Sequence, residues 1–139
     1  MSIAEESKAK IKDIALKYHL SLVLLFGSQA TGKIHRGSDY DAAYLGEESL
    51  SLKEESNLII DLMHIFGTED VDLVALHNAA PLLAYEIAHS AQPLYERTPG
   101  LFTSFYLYAL RQYEEAKPLF ELRSVYLERK ITDLKVGSR

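Results

Sequence analysis

A short apolar run that ends in glycine and serine restricts the fold of this chain more than any other feature of its sequence. The run reads SLVLLFG from Ser21 to Gly27, and Ser28 follows it directly. An apolar run of this length is typical of a strand buried on both faces and is short for a buried helix. We therefore expect a sheet flanked by helices, which is an α/β (α+β) architecture.

Helical and strand patterns alternate along most of the remaining sequence. The periodicity predicts, in chain order, a helix over residues 3–18, strands over 21–27 and 39–45, a helix over 52–66 that Gly67 ends, a strand over 71–76, a helix over 81–90 that Asn78 caps, a short strand over 93–96 and a helix beyond residue 99. Pro118 predicts a kink or a new helix, with a second helix from about 119 to 134. We expect a mixed sheet of about four strands in one domain, residues 1–139, with the sheet in 1–98 and a helical extension in 99–139.

The C-terminal extension is rich in aromatic residues, since five of the nine tyrosines lie from Tyr95 onward. The stretch exceeds what covering a small sheet requires. Two interpretations stay open: the aromatics form a surface for a partner, or they form ordinary core packing. Burial of Tyr106, Tyr108 and Tyr113 within one chain would remove the basis for the first interpretation.

The composition disfavours several classes of protein. A formal net charge of −5 gives no basic field that would draw the chain onto nucleic acid, so no direct nucleic-acid partner is expected. The apolar runs are far shorter than the roughly 20 residues that a membrane-spanning helix needs. The chain has no cysteine and its first residues lack an apolar signal segment, so we expect a cytoplasmic protein without disulfides.

The most informative spacing joins the first two predicted strands. Gly27 and Ser28 end the first strand, and after ten residues Asp39 and Asp41 lie on the second. Carboxylates at i and i+2 of a strand lie on one face roughly 6 to 7 Å apart, where they can converge on hard cations such as Mg²⁺. Gly27 permits close approach of a phosphate, and the Ser28 hydroxyl can donate to a triphosphate. The pattern therefore favours metal-assisted phosphoryl or nucleotidyl transfer.

A third carboxylate is available on the third predicted strand. Asp72 lies in the apolar sequence VDLVAL, on the same face as Val74 and Leu76. A carboxylate in such surroundings is costly without a partner, so we expect a cation or metal beside it. Asp72 is the candidate for completing a second metal site and assisting deprotonation of the attacking hydroxyl.

The sequence also resembles a known family. Residues 27–41, GSQATGKIHRGSDYD, resemble the signature of the DNA polymerase beta-like nucleotidyltransferases, and VDLVAL resembles the strand of their third carboxylate. In this resemblance Asp39, Asp41 and Asp72 match the acidic triad, and Ser38 matches a serine that commonly precedes the first aspartate. The segments PLLAYEI, PLYER and FYLYALRQYEEAKPLFELRSVYLER are similar to the C-terminal half of minimal nucleotidyltransferase (MNT) antitoxins of the MntA type, which accompany HEPN-domain ribonuclease toxins.

The resemblance implies a minimal nucleotidyltransferase fold and an antitoxin that uses ATP and Mg²⁺ to transfer AMP onto a tyrosine of its cognate HEPN toxin. The residues themselves indicate only the donor side, because metal ligands and a phosphate loop report on the triphosphate and not on the acceptor. The acceptor is implied by the resemblance alone.

One departure from the family concerns the loop after Gly-Ser. The family often has Ala-Arg-Gly there, and this chain has Ala-Thr-Gly at residues 30–32, without the arginine that would neutralise phosphate. Lys33, His35 and Arg36 are possible substitutes, with Arg36 preferred. The alternative is that all three are cations on a solvated loop.

Two other functions compete with this interpretation. A transferase for a small molecule such as an aminoglycoside would need an acidic acceptor pocket and usually a second domain, for which this chain has little room. A contact-only antitoxin would need no active site, and the intact set of three aspartates argues against it.

Overall fold

The computed structural model describes residues 5–27 and 40–137 of the chain. Its helices and strands follow the predicted order. They are α1 (Glu5–Lys17), β1 (Leu20–Phe26), β2 (Tyr40–Gly46), α2 (Leu52–Phe66), β3 (Val71–Ala75), a 3-10 turn (Leu76–Asn78), α3 (Pro81–Ser90), β4 (Gln92–Glu96) and α4 (Leu101–Gly137).

The four strands form one mixed sheet in the order β3-β2-β1-β4. β1 pairs antiparallel with both β2 and β4, whereas β2 pairs parallel with β3. Because β1 lies between two neighbours and all residues from Leu20 to Leu25 are buried, the prediction of a strand covered on both faces is confirmed.

The alternation of side chains along β1 divides the core into two layers. Val23 and Leu25 pack beneath α1 and α2, in a cluster that includes Ile11 and Leu62. On the other face, Leu22, Leu24, Ala43, Ile87 and Ala109 belong to a cluster covered by α3 and α4. Because the two clusters lie on opposite faces of the sheet, they show on which face each residue of the candidate site lies.

The helix ends follow local sequence in most cases. Ser51 and Glu54 form a capping box at the start of α2, and Gly67 ends that helix with a φ of 71°, which confirms the predicted glycine cap. Asn78 is not the cap of α3, because the 3-10 turn ends there and Ala80 takes the cap position, without a capping side-chain bond.

The prediction of a separate last helix is wrong. α4 is one helix of 37 residues that continues through Pro118. The ring of Tyr113 stacks on Tyr85 of α3 with centroids 4.0 Å apart, and Phe120 contacts Tyr113 at 6.3 Å across the proline. Neither α4 nor any other helix in the described part of the chain is long and apolar enough to cross a membrane.

Candidate active site

Three strands bring the described candidate residues together at one end of the sheet. Phe26, the last residue of β1, pairs with Asp41 near the start of β2. Asp41 in turn pairs with Asp72 near the start of β3. Neighbouring strands lie about 4.8 Å apart, so the two aspartates and the end of β1 are adjacent across the sheet.

Both aspartates lie on the sheet face that α3 and α4 cover. Residues alternate between faces along a strand, so Asp41 shares its face with Ala43, and Asp72 shares its face with Val74. Ala43 and Val74 belong to the cluster beneath α3 and α4. The predicted common face of Asp72 and the apolar residues of its strand is therefore confirmed.

The surroundings of Asp72 differ from the expectation. Asp72 is exposed, because β3 is at one end of the sheet that the described residues form. Because the Asp72 carboxylate stays in contact with water, it carries no burial cost that a cation would have to offset. The expectation of a buried, costly carboxylate at this position is therefore wrong. Asp41, one strand further in, is half-buried.

The Asp41 carboxylate lies against Gly27 and leaves no room for a side chain there. The φ of Gly27 is +76°, in the left-handed region that favours glycine. A Cβ added to Gly27 would lie 2.5 Å from Oδ2 of Asp41 and 3.4 Å from Cγ. The expected reason for a glycine here is close approach of a phosphate, whereas in the structure the Asp41 carboxylate occupies the space on that side of the backbone.

Ser90 is a site residue that the sequence analysis missed. The Gly27 amide donates a hydrogen bond to Ser90 Oγ at 3.4 Å. The Ser90 hydroxyl donates to the Glu86 carbonyl oxygen at 3.2 Å, within the last turn of α3. The contact joins positions 27 and 90, so no local pattern indicates it; the only signal is that a serine ends the helix before β4.

The other candidate residues lie outside the described residues. These are Ser28, Lys33, His35, Arg36, Ser38 and Asp39. Within residues 5–27 and 40–137, no group of three or more His, Cys, Asp or Glu side chains is placed to hold a metal ion. Asp41 and Asp72 are two of the three expected ligands, and their carboxylate oxygens are of the type that Mg²⁺ prefers.

Comparisons with known proteins agree with this arrangement. The family model described as "Polymerase beta, Nucleotidyltransferase" matches residues 9–99. The protein adenylyltransferase MntA of Aphanizomenon flos-aquae is 29% identical over 127 residues, which cover 85% of this chain and 85% of that protein.

Solved structures of toxin–antitoxin complexes are similar in fold. A crystal structure of a toxin–antitoxin with AMP-PNP contains a chain with a TM-score of 0.71 and 26% identity, covering 89% of this chain and 98% of that one. A chain in the complex of a tri-AMPylated Shewanella oneidensis HEPN toxin with an MNT antitoxin has a TM-score of 0.68 and 22% identity, covering 91% and 98%. The predicted fold class, a minimal nucleotidyltransferase sheet with flanking and C-terminal helices, is confirmed.

Proposed function

Because the chain belongs to the polymerase beta nucleotidyltransferase family, we propose that it is an antitoxin that transfers AMP from ATP, with Mg²⁺, onto a tyrosine of a HEPN-domain ribonuclease toxin. The observation that carries the proposal is the pairing of Asp41 with Asp72 across β2 and β3, beside the glycine that ends β1. This is the arrangement of oxygen ligands that metal-assisted nucleotidyl transfer needs.

The donor side of the reaction is assigned to the first two strands. Asp39 and Asp41 would hold Mg²⁺, which neutralises the charge of the triphosphate and of the leaving pyrophosphate. Gly27 and Ser28 would bind the triphosphate, with Ser38 and Arg36 as further nucleotide contacts. The hydrogen bond from Gly27 to Ser90 holds the end of β1 against α3 and so fixes where the phosphate loop begins.

The acceptor side is assigned to Asp72. Its place one strand from Asp41 puts it where it can complete the metal site and take the proton of an attacking tyrosine hydroxyl. The hydroxyl oxygen attacks the α-phosphorus, the bond to the β-phosphate oxygen breaks, and pyrophosphate leaves. An exposed carboxylate on an outer strand is accessible to a residue that another protein presents.

The relatives support a protein acceptor. The Aphanizomenon relative is named for adenylyl transfer to protein, and the Shewanella complex holds an AMPylated HEPN toxin. The AMP-PNP complex supports ATP as the donor. For this chain, ATP, Mg²⁺ and the tyrosine acceptor are parts of the proposal.

The proposal is tested by replacing both metal-binding aspartates. Asp39→Ala/Asp41→Ala is expected to abolish transfer of labelled AMP to a HEPN-domain toxin whose motif is an arginine, several residues and a histidine, while the circular dichroism spectrum stays unchanged. The matched control is Glu5→Ala/Asp13→Ala, which removes two exposed carboxylates from α1 and should keep full transfer.

Two outcomes would contradict the proposal. Undiminished transfer by the aspartate variant would show that another site performs the chemistry. Neutralisation of the toxin without any gain in its mass, with each of the four nucleoside triphosphates, would show an antitoxin that acts by contact.

A further inference from the structure

The last turn of α3 lies against the end of β1. Ser90, the final residue of α3, accepts a hydrogen bond from the Gly27 amide at 3.4 Å. Consecutive Cα atoms are about 3.8 Å apart, so the Cα atom of His89 lies within about 10 Å of the Gly27 nitrogen. His89 is therefore close to the proposed triphosphate site, on the side of the sheet that α3 covers and that carries Asp41.

An aromatic surface continues from His89 onto α4. The centroid of the His89 ring lies 5.5 Å from that of Tyr106, and the Tyr106 centroid lies 6.5 Å from that of Phe102. His89 is exposed, and Tyr106 and Phe102 are half-buried, so each ring keeps part of its surface in contact with solvent. Exposed aromatic rings beside a phosphate site are surfaces on which a nucleobase can stack.

A hydrogen bond within α3 determines which nitrogen of the His89 ring carries the hydrogen. Nδ1 lies 3.3 Å from the backbone carbonyl oxygen of Tyr85. A carbonyl oxygen only accepts hydrogen bonds, so Nδ1 carries the hydrogen and donates it. In the neutral ring Nε2 is then a hydrogen-bond acceptor. An acceptor at this position can bind an amino group but not a carbonyl oxygen.

The two purine bases differ in the group that such an acceptor would meet. Adenine carries an exocyclic amino group, which donates hydrogen bonds, where guanine carries a carbonyl oxygen, which accepts them. The Nε2 atom of His89 can therefore accept a hydrogen bond from adenine. Opposite guanine, two acceptors would face each other, and both would lose a hydrogen bond that they make in water.

We propose that His89 and Tyr106 form the site for the base of the donor nucleotide and make the chain selective for ATP over GTP. His89 Nε2 accepts a hydrogen bond from the exocyclic amino group of adenine, and the base stacks against the ring of Tyr106. The inference rests on the proposed function for the position of the triphosphate at Gly27. Both residues contact the base and not the reacting atoms, so they determine nucleotide specificity and take no part in the transfer step.

Removing the amino group from the nucleotide tests the hydrogen bond without changing the protein. Titration calorimetry with Mg²⁺ at about pH 8, where imidazole groups are neutral, compares ATP with purine riboside triphosphate, which lacks the amino group. The unmodified chain should bind ATP about threefold to tenfold more tightly. His89→Ala should bind the two nucleotides equally. The matched control is His64→Ala, which removes an exposed histidine from the last turn of α2, on the other side of the sheet, and should keep the preference for ATP.

A second pair of variants tests the stacking. Tyr106→Ala should weaken the binding of both nucleotides by about tenfold, and Tyr106→Phe should keep it, because the ring is retained. Tyr108→Ala is the control: Tyr108 is 59% exposed and, two residues further along, lies on another side of α4, so its loss should leave binding unchanged. Urea denaturation checks that each variant is folded.

Several results would overturn the base site. They are equal affinities of the unmodified chain for ATP and purine riboside triphosphate, an undiminished preference for ATP in His89→Ala, full affinity in Tyr106→Ala, and no binding of ATP at all. These measurements need neither a toxin nor AMP transfer. A chain that shows the expected binding pattern but transfers no AMP would contradict the proposed function alone, whereas a chain that transfers AMP and binds both nucleotides equally would contradict the base site alone.

Discussion

Replacing Gly27 by alanine is the most direct test of how β1 and β2 build the active site. The added Cβ would meet Oδ2 of Asp41 at 2.5 Å, on a backbone with a φ of +76°. Ordinary contact begins at 3.4 Å, so the carboxylate or the strand end has to move by about 0.9 Å. The displaced group is the carboxylate assigned to the metal.

Two costs follow from this geometry, and they can be measured separately. The left-handed backbone conformation costs a residue with a side chain about 1–2 kcal/mol of folding stability. A displacement close to 1 Å at a reacting centre lowers the rate by about 100-fold. Gly27→Ala should therefore lose about two orders of magnitude in AMP transfer but only a small part of its free energy of unfolding.

Gly67 provides the matched control. It ends α2 with a φ of +71°, and a Cβ added there would have nothing within 4 Å. Gly67→Ala therefore carries the same backbone strain without the contact with a carboxylate. Both variants should lose similar stability in urea denaturation, and only Gly27→Ala should lose transfer of labelled AMP. Equal transfer rates for the two variants would refute the assignment of Gly27 to the placement of Asp41.

Two further predictions concern one residue each. Asp72→Asn should lower the AMP transfer rate by about 100-fold or more if the carboxylate takes the acceptor proton, with nucleotide binding retained; a rate within twofold of the unmodified chain would identify it as an ordinary solvated residue. Tyr44 is buried and donates to Glu55 Oε2 at 2.7 Å, so Tyr44→Phe should cost about 1–3 kcal/mol in urea denaturation at neutral pH and leave transfer unchanged. Burial and that hydrogen bond raise the pKa of Tyr44 above its ordinary value of 10.0. The contribution of Tyr44 to stability is therefore complete below pH 10 and is lost as the pH rises further. The free energy of unfolding should fall more steeply above pH 10 in the unmodified chain than in Tyr44→Phe, and equal slopes would contradict this prediction.

The sequence predicts most of the sheet because its signals are local. The apolar run of β1 and the period of two in β2 each depend on side chains only a few residues apart. The glycine that ends α2 is predicted for the same reason, since only a left-handed residue fits that turn. The exposure of Asp72 depends instead on β3 having only β2 as a neighbour among the described strands, and no pattern within VDLVAL contains that information.

Pro118 is a local signal that the structure does not follow. A proline inside a helix removes one backbone hydrogen bond and crowds the preceding turn, at a cost of about 3 kcal/mol. The helix nevertheless continues; Tyr113 stacks on Tyr85 of α3 before the proline, and the ring of Phe120 lies 6.3 Å from that of Tyr113 across it. Ser90 was not predicted because its partner Gly27 is 63 residues away in sequence.

A pocket of about 470 Å³, lined mainly by residues of α3 and α4, lies away from the paired aspartates. Leu45 and Leu76 line that pocket, and Leu45 lies four residues beyond Asp41 on β2, about 13 Å along the strand. The pocket therefore lies towards the other end of the sheet from the paired aspartates. A small-molecule acceptor needs an enclosed pocket beside the reacting phosphate, whereas a tyrosine on the surface of a protein needs an accessible edge. Asp72 is exposed at the edge of the sheet that the described residues form, which meets the second requirement and is consistent with the proposed protein acceptor.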